Sequence, residues 1–355
     1  MNAVICRKTE RAKEIKEKAV SLGFAKCGII RVDAVSGYEE RLDERIRSFP
    51  ESAVMYNSLR RYAHVREKFP WAKSLVVAVW EYRKYKIPES LHGRIGLSYQ
   101  FDGRIDPASE SFQKRDELAE FIRQMGLTIG REERYGFTAV RYAAAIAGLG
   151  VVRHNNFFYT ENGSWNNIYV FAVDEELELI ETPNTKKCPD NCNRCVKACP
   201  TASLDGPYSM NPQKCVSFLT SKGGGLVNLA GNPVGKRIGN WIYGCDVCQD
   251  ACAFNGNRFT YESEFPGLGH VADSCSPERI IDMDEDFYKN TISRKFFYLD
   301  ESKLWVWKVN ALNAMINGFE PKYEPYIRKC LHDPNDRVSE MASWACETLG
   351  IPIDR

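Results

Sequence analysis

The sequence predicts an α+β protein arranged as four stretches, residues 1–183, 184–260, 261–302 and 303–355. Three observations predict it. Segments with helical apolar spacing alternate with β-branched runs through the first stretch. Eight of the 13 cysteines crowd between Cys188 and Cys252. Apolar residues return to helical spacing between Trp305 and Leu349.

In the first stretch, Ala12, Ile15, Ala19 and Leu22 share one face of a helix over residues 8–22, which Gly23 stops. Residues 25–31 read as a strand and Tyr38 to Phe49 as a helix. The run Ser74-Leu-Val-Val-Ala-Val-Trp-Glu-Tyr82 is the strongest strand signal in the chain. Residues 109–125 read as a helix ended by Gly126, and Leu127 to Glu133 as a strand. Ala139 to Ala147 is an Ala-rich helix ended by Gly148-Leu-Gly150, and Trp165 to Val173 is a further strand. One sheet carrying helices, α/β or α+β, accommodates this order.

Bulk properties exclude several classes. At 355 residues a single core is stretched, so two or three packed units are expected. The 44% hydrophobic and 27% charged content is that of an ordinary globular protein, and the net charge of +1 provides no global field for nucleic acid or an anionic membrane. No apolar run is long enough to span a bilayer. The N-terminus shows neither an apolar signal core nor twin arginines, so a cytoplasmic monomer with no membrane partner is expected.

The second stretch opens with Cys188-Pro-Asp-Asn-Cys192-Asn-Arg-Cys195-Val-Lys-Ala-Cys199-Pro200, continues with Cys215 and closes with Cys245-Asp-Val-Cys248-Gln-Asp-Ala-Cys252. Four thiols at short gaps with a trailing Pro are the ligand run of two-cluster ferredoxins, in which the fourth Cys crosses to the other cluster. The spacing assigns Cys188, Cys192, Cys195 and Cys252 to one 4Fe–4S cluster, and Cys199, Cys215, Cys245 and Cys248 to the second. Zinc takes thiols in separated pairs, which a run of four and a run of three do not supply. Disulfides need an oxidising compartment to which nothing points. Two departures loosen the first loop: the Cys188–Cys192 gap is one residue longer than usual, and Ala253 rather than Pro follows Cys252. The remaining Cys6, Cys27, Cys275, Cys330 and Cys346 are scattered and read as buried or free thiols.

Between the cysteine runs, Ser221-Lys-Gly-Gly-Gly-Leu226 and Gly231-Asn-Pro-Val-Gly235 must bend tightly or approach something closely. Residues 261–302 are aromatic and acidic and read as a wrapping segment. In the tail, Trp305, Val309, Leu312 and Ile316 share one helical face, and Val338, Met341, Ala345 and Leu349 another. A turn at His332–Arg337 separates them, as in a helical-repeat pair of the HEAT kind.

Motifs across the chain resemble one family. Gly148-Leu-Gly-Val-Val-Arg-His-Asn-Asn156 and Asn162-Gly-Ser-Trp165 are similar to segments of epoxyqueuosine reductases. So are Cys215-Val-Ser-Phe-Leu-Thr220, Gly239-Asn-Trp-Ile-Tyr-Gly-Cys-Asp-Val-Cys-Gln249, Val54-Met-Tyr56 and Phe69-Pro-Trp-Ala-Lys-Ser-Leu-Val-Val77. The resemblance spans nearly the whole chain. It implies a nitroreductase-like domain holding base-off cobalamin beside two 4Fe–4S clusters, an architecture shared with reductive dehalogenases. It further implies reduction of cobalt to Co(I) by an external low-potential donor of the ferredoxin or flavodoxin type. The reaction implied is two-electron reduction of an epoxide or a carbon–halogen bond, the hard chemistry belonging to the cofactor.

The departures concern the catalytic residues. Family members carry an Asp that supplies a proton in an Asp-x-x-Pro setting, where this chain has Arg134 and Phe137. A guanidinium does not deprotonate in proteins. Tyr135 or Tyr142 is the alternative donor, with Arg134 or Arg141 beside it, unless these tyrosines simply pack in the core. The family's Gly-Lys-Asn is Arg153-His154-Asn155 here. His154, with Asn155 and Asn156, reads as a contact to the corrin, its phosphate tail or cobalt, or as a hydrogen-bonded loop histidine. Gly148, Gly150, Gly163 and Ser164 would let backbone approach the corrinoid, and Trp165 would wall it; helix capping and a hairpin turn are the plainer account of the glycines.

Three readings follow. The first is a cobalamin-dependent reductase acting on tRNA epoxyqueuosine or a related epoxide. Residues 303–355 carry seven Lys/Arg and seven Asp/Glu, so the tail does not demand RNA, although Lys222, Lys236 and Arg237 form a local basic group. The second is a cytosolic reductive-dehalogenase-like enzyme for a small organohalide, favoured by the Arg134/Tyr135 pair. The third is a ferredoxin-like electron carrier or corrinoid-protein reactivator.

Overall fold

The computed structural model describes residues 2–131, 134–256 and 259–353, with side chains from residue 7 onward. Helix α1 (Asn2–Ser21) leads into strand β1 (Lys26–Arg31) through Gly23, which takes φ +97°. Helix α2 (Tyr38–Ser48) precedes β2 (Ser74–Glu81). Ser109 caps α3 (Glu110–Gln124), its hydroxyl accepting from Phe112 N at 3.2 Å. The strand expected over 127–133 shortens to β3 (Ile129–Gly130), and Glu133 lies outside the described residues. Helix α4 (Val140–Ile146) and β4 (Asn166–Val173) complete the unit.

The four strands form one antiparallel sheet in the order β1–β2–β4–β3. Strand β2 is central and buried from Ser74 to Trp80, as its β-branched run demands. Side chains alternate between faces. Cys27, Val76, Ala78 and Phe171 pack under α1 and α3. Leu75, Val77, Val79 and Ala172 pack under α4, whose Ala143, Ala144 and Ala147 allow close approach.

A third and larger core crosses the stretch boundaries. It joins Tyr82–Phe101 to Ile238–Tyr243, to Phe265–Leu299 and to the C-terminal helices α6 (Leu304–Asn317), α7 (Glu324–Cys330) and α8 (Asp336–Leu349). The short α5 (Arg194–Ala198) sits within the first cysteine run. Helix α6 departs from the one-faced pattern the sequence suggests. It is buried on almost all sides, Trp307 stacking on Tyr243 at 5.2 Å. Its polar residues are buried too: Asn310 donates to the Thr220 and Ile242 carbonyls, and Asn313 to those of Gly235 and Gly239. These bonds tie α6 to the end of the Val216–Leu219 turn, to Ile242 and to the short helix Pro233–Ile238 with the Gly239 that follows it. Among the described residues, no helix is long and apolar enough to cross a membrane.

Candidate redox cofactor sites

The chain returns to the sheet unit to hold its cysteines. Cys188, Cys192, Cys195 and Cys252 line one cavity of about 250 Å³, closed by Arg153, His154 and Phe254. Among the described residues no three His, Cys, Asp or Glu groups are gathered closely enough for a single metal ion. Thiols spread around a cavity of this size instead match a cubane, which is larger than an ion. Cys199, Cys215, Cys245 and Cys248 are all half-buried and form the second group. Burial first, then the closeness of Cys245, Cys215 and Cys199, pushes the Cys248 thiol well up. Thiols so placed become thiolates by binding a cation.

The loops around these groups are tied to the sheet unit by hydrogen bonds. His154 Nδ1 lies 2.8 Å from the Cys192 carbonyl oxygen, which makes it the protonated ring nitrogen. Asn155 donates to the Cys248 carbonyl at 3.0 Å and to the Tyr159 hydroxyl at 2.9 Å. Ser164 donates to Gln249 Oε1 at 2.8 Å and accepts from Asn255 Nδ2 at 2.9 Å, while its backbone N–H donates to Asn255 Oδ1. Gly163, at φ +104°, leaves room for that Asn255 side chain: a Cβ there would lie 2.6 Å from Oδ1. Gly148 and Gly150 similarly admit the carbonyls of Glu181 and Tyr159, which a Cβ at either position would overlap. Trp165 is 4% exposed and packs on Phe259. The structure thus places His154, Asn155, Gly163 and Ser164 beside the cysteine loops. It places Gly148 and Gly150 in chain packing and Trp165 in the large core.

A much larger cavity, about 1380 Å³, lies between α2, the 135–142 segment, β4 and residues 207–222. It exceeds the ~300–1,000 Å³ usual for small-molecule pockets. Of the sequence-predicted residues, Tyr135, Arg141, Tyr142 and Asn156 line it; Gly148, Gly150, His154, Asn155, Gly163, Ser164 and Trp165 do not. Cys215, of the second thiol group, is part of its wall. Arg134 is not among the lining residues; its guanidinium lies over the rings of Tyr135 and Phe297. The Tyr135 hydroxyl donates to the Phe297 carbonyl at 3.4 Å, whereas Tyr142 packs beside Tyr38 against Gly37.

The wall is cationic: seven arginines and Lys222 face the cavity against Glu44. Asp102 holds Arg104, and Asp116 holds Arg115 and Arg131. Arg45 and Arg141 have no carboxylate partner among the described residues. They converge on Asn156, Arg45 donating to its Oδ1 at 3.1 Å and Arg141 to its carbonyl at 2.6 Å. Asn156 takes φ +63°, and its amide Nδ2 is buried without a partner. Arg141 is open to the cavity yet otherwise deep in the protein, and that depth, with Arg45 close by, lowers its pKa. Two guanidiniums and an unpartnered amide suit a ligand bearing phosphate and carboxamide oxygens. Arg45 carries no signal in the sequence, because a cavity-facing position on an amphipathic helix looks like a solvent-facing one. Arg153 carried a signal, as the replacement of a family glycine, but no assigned role.

Known proteins give the same picture. Residues 187–255 match the 4Fe–4S double cluster binding domain. The chain is 26% identical over 352 residues to the epoxyqueuosine reductase of Bacillus subtilis (strain 168), covering 96% of this chain and 88% of that protein. It is 29% identical over 253 residues to that of Cellulophaga algicola, covering 70% and 80%. A crystal structure of epoxyqueuosine reductase with an epoxyqueuosine-modified tRNA-Tyr stem loop superposes with a TM-score of 0.73 at 22% identity, over 96% of this chain and 90% of that one. The chain carries a double 4Fe–4S domain and, along almost its entire length, is similar in sequence and in fold to epoxyqueuosine reductases.

Proposed function

We propose that the protein is a cobalamin- and iron–sulfur-dependent reductase of the epoxyqueuosine-reductase type, delivering two electrons to an epoxide-type substrate. The observation that carries this reading is the macrocycle-sized cavity with Cys215 in its wall. A redox cofactor held in that cavity would lie beside Cys215, a ligand we assign to the second cluster. Cobalamin, when held there, would supply a two-electron reductant. The cavity lies between the sheet unit and residues 207–222; we read the sheet unit as nitroreductase-like and the C-terminal helices as a HEAT-like tail.

The chain's own residues bind, orient and protonate. Arg45, Arg141 and Asn156 present donors for the ligand's phosphate and amide oxygens. Of the eight tyrosines that line the cavity, Tyr135 and Tyr142 stand in or beside the segment where the family carries its Asp, and we assign them delivery of a proton to the leaving oxygen. Arg134 stands over the Tyr135 ring and holds its position. The relative crystallised with a modified tRNA stem loop makes epoxyqueuosine tRNA the first substrate to test. The Tyr135–Arg134 pair, where the family has Asp, favours a second reading, reduction of a small organohalide. Anaerobic assay of the reconstituted protein with an epoxyqueuosine stem loop and with a haloaromatic acid separates them. Turnover of the stem loop alone supports the first reading. Halide release alone supports the second. Turnover of neither contradicts both and leaves an electron carrier.

Electrons enter at the first cluster. Lys186, Lys187, Arg194 and Lys197 are exposed around its loop, opposed there by Asp190, and none makes an ion pair among the described residues. This rim suits an acidic low-potential donor of the flavodoxin or ferredoxin type. The double variant Lys186→Glu/Lys187→Glu is expected to slow reduction by such a donor about tenfold or more at low ionic strength, an effect that salt erodes. Stopped-flow reduction measures it, and dithionite, which needs no docking, should reduce both proteins alike. We place the protein in the cytoplasm as a monomer, since thiolate clusters belong in a reducing compartment.

A further inference from the structure

We infer that Arg153 is the built-in counter-ion of the first cluster and holds its reduction potential up relative to the second. The inference rests on the double-cluster domain and not on the identity of the substrate. Arg153 is 1% exposed, and no carboxylate pairs with it among the described residues. Its guanidinium lies 3.3 Å from the Phe254 ring centre and 5.0 Å from that of Tyr159. One terminal nitrogen donates to the Lys186 carbonyl, and the other lies 3.8 Å from Cys188 Sγ. Its Nε–H is buried with no partner.

A buried, unpaired charge is costly, and proteins rarely keep one without an anion beside it. The cavity against which Arg153 lies is lined by Cys188, Cys192, Cys195 and Cys252. A 4Fe–4S core held by four thiolates is a net anion, and taking up one electron makes it more negative. A fixed cation donating toward one of its sulfurs therefore stabilises the reduced form more than the oxidised one. No comparable cation contacts the sulfurs of Cys199, Cys215, Cys245 or Cys248 among the described residues. An electron from an external low-potential carrier then meets the more readily reduced cluster first, and no proton is taken up with it.

The test is a redox titration of the anaerobically reconstituted protein followed by electron paramagnetic resonance. The two signals are assigned with Cys192→Ser and Cys245→Ser. In Arg153→Met the first cluster is expected to shift to a more negative midpoint potential while the second stays in place; Arg153→Lys should recover most of the shift. Unchanged potentials in an Arg153→Met protein that retains both clusters would overturn the inference, as would an equal shift of both. If Arg153→Met loses the first cluster and Arg153→Lys keeps it, the charge is what that cluster requires, which supports the inference. If both variants lose it, the guanidinium acts through shape and the inference fails. Wild-type iron content, measured alongside, reports on the two-cluster assignment separately.

Discussion

Cys215→Ser is expected to abolish substrate reduction while leaving the large cavity intact. Cys215 is both a thiol of the second group and part of the cavity wall, so its loss interrupts electron flow at the point where it reaches the cofactor. Iron should fall from about eight to about four per chain. Corrinoid binding should persist, because Arg45, Arg141 and Asn156 are untouched. The comparison that matters is with Cys188→Ser, which should remove the other cluster and the rapid reduction by an external donor. Iron analysis, corrinoid retention and turnover, measured on both variants, check this. Full activity in Cys215→Ser would remove the second cluster from the electron path.

The second large effect concerns stability. Gly148 takes φ +74°, and a Cβ there would overlap the Glu181 carbonyl oxygen. Gly148→Ala therefore combines left-handed backbone strain with a collision against backbone that cannot rotate away. We expect a loss of roughly 2–5 kcal/mol. Gly136 supplies the control: it has the same φ of +74° but open space around it, so Gly136→Ala should cost only about 1–2 kcal/mol. Denaturant unfolding of the two variants against wild type measures the difference. If Gly148→Ala were as stable as wild type yet failed to bind a corrinoid, the glycine would be a cofactor contact and not a packing position.

Much of the sheet unit was legible because its signals are local. The β-branched run at Ser74–Glu81 is the buried central strand, and Gly23 and Gly126 end their helices at φ +97° and +82°. The cysteine spacing named four residues that do surround one cavity. What stayed hidden depends on long-range partners. Positive φ at Gly148 and Gly163 could be expected, but not that the carbonyl of Glu181 and the side chain of Asn255 fill the space a Cβ would take. Ser164 and Asn155 look like ligand-binding residues in sequence, and in the structure they bond the second cysteine run. Asn310 and Asn313 break the apolar stripe of α6 because their partners are backbone carbonyls some 70 to 90 positions earlier in the chain. Arg45 and Arg141 meet only because α2 and α4 border the same cavity. No periodicity reports that meeting.

Cofactor stoichiometry decides whether the arginine-lined cavity holds a corrinoid. The protein, purified without oxygen and reconstituted with iron, sulfide and hydroxocobalamin, should retain about eight irons and about one cobalt per chain. Arg141→Met should retain the iron and lose cobalt. Wild-type protein holding eight irons and no cobalt would contradict the central claim and leave a two-cluster electron carrier with an arginine-lined cavity for some other anion.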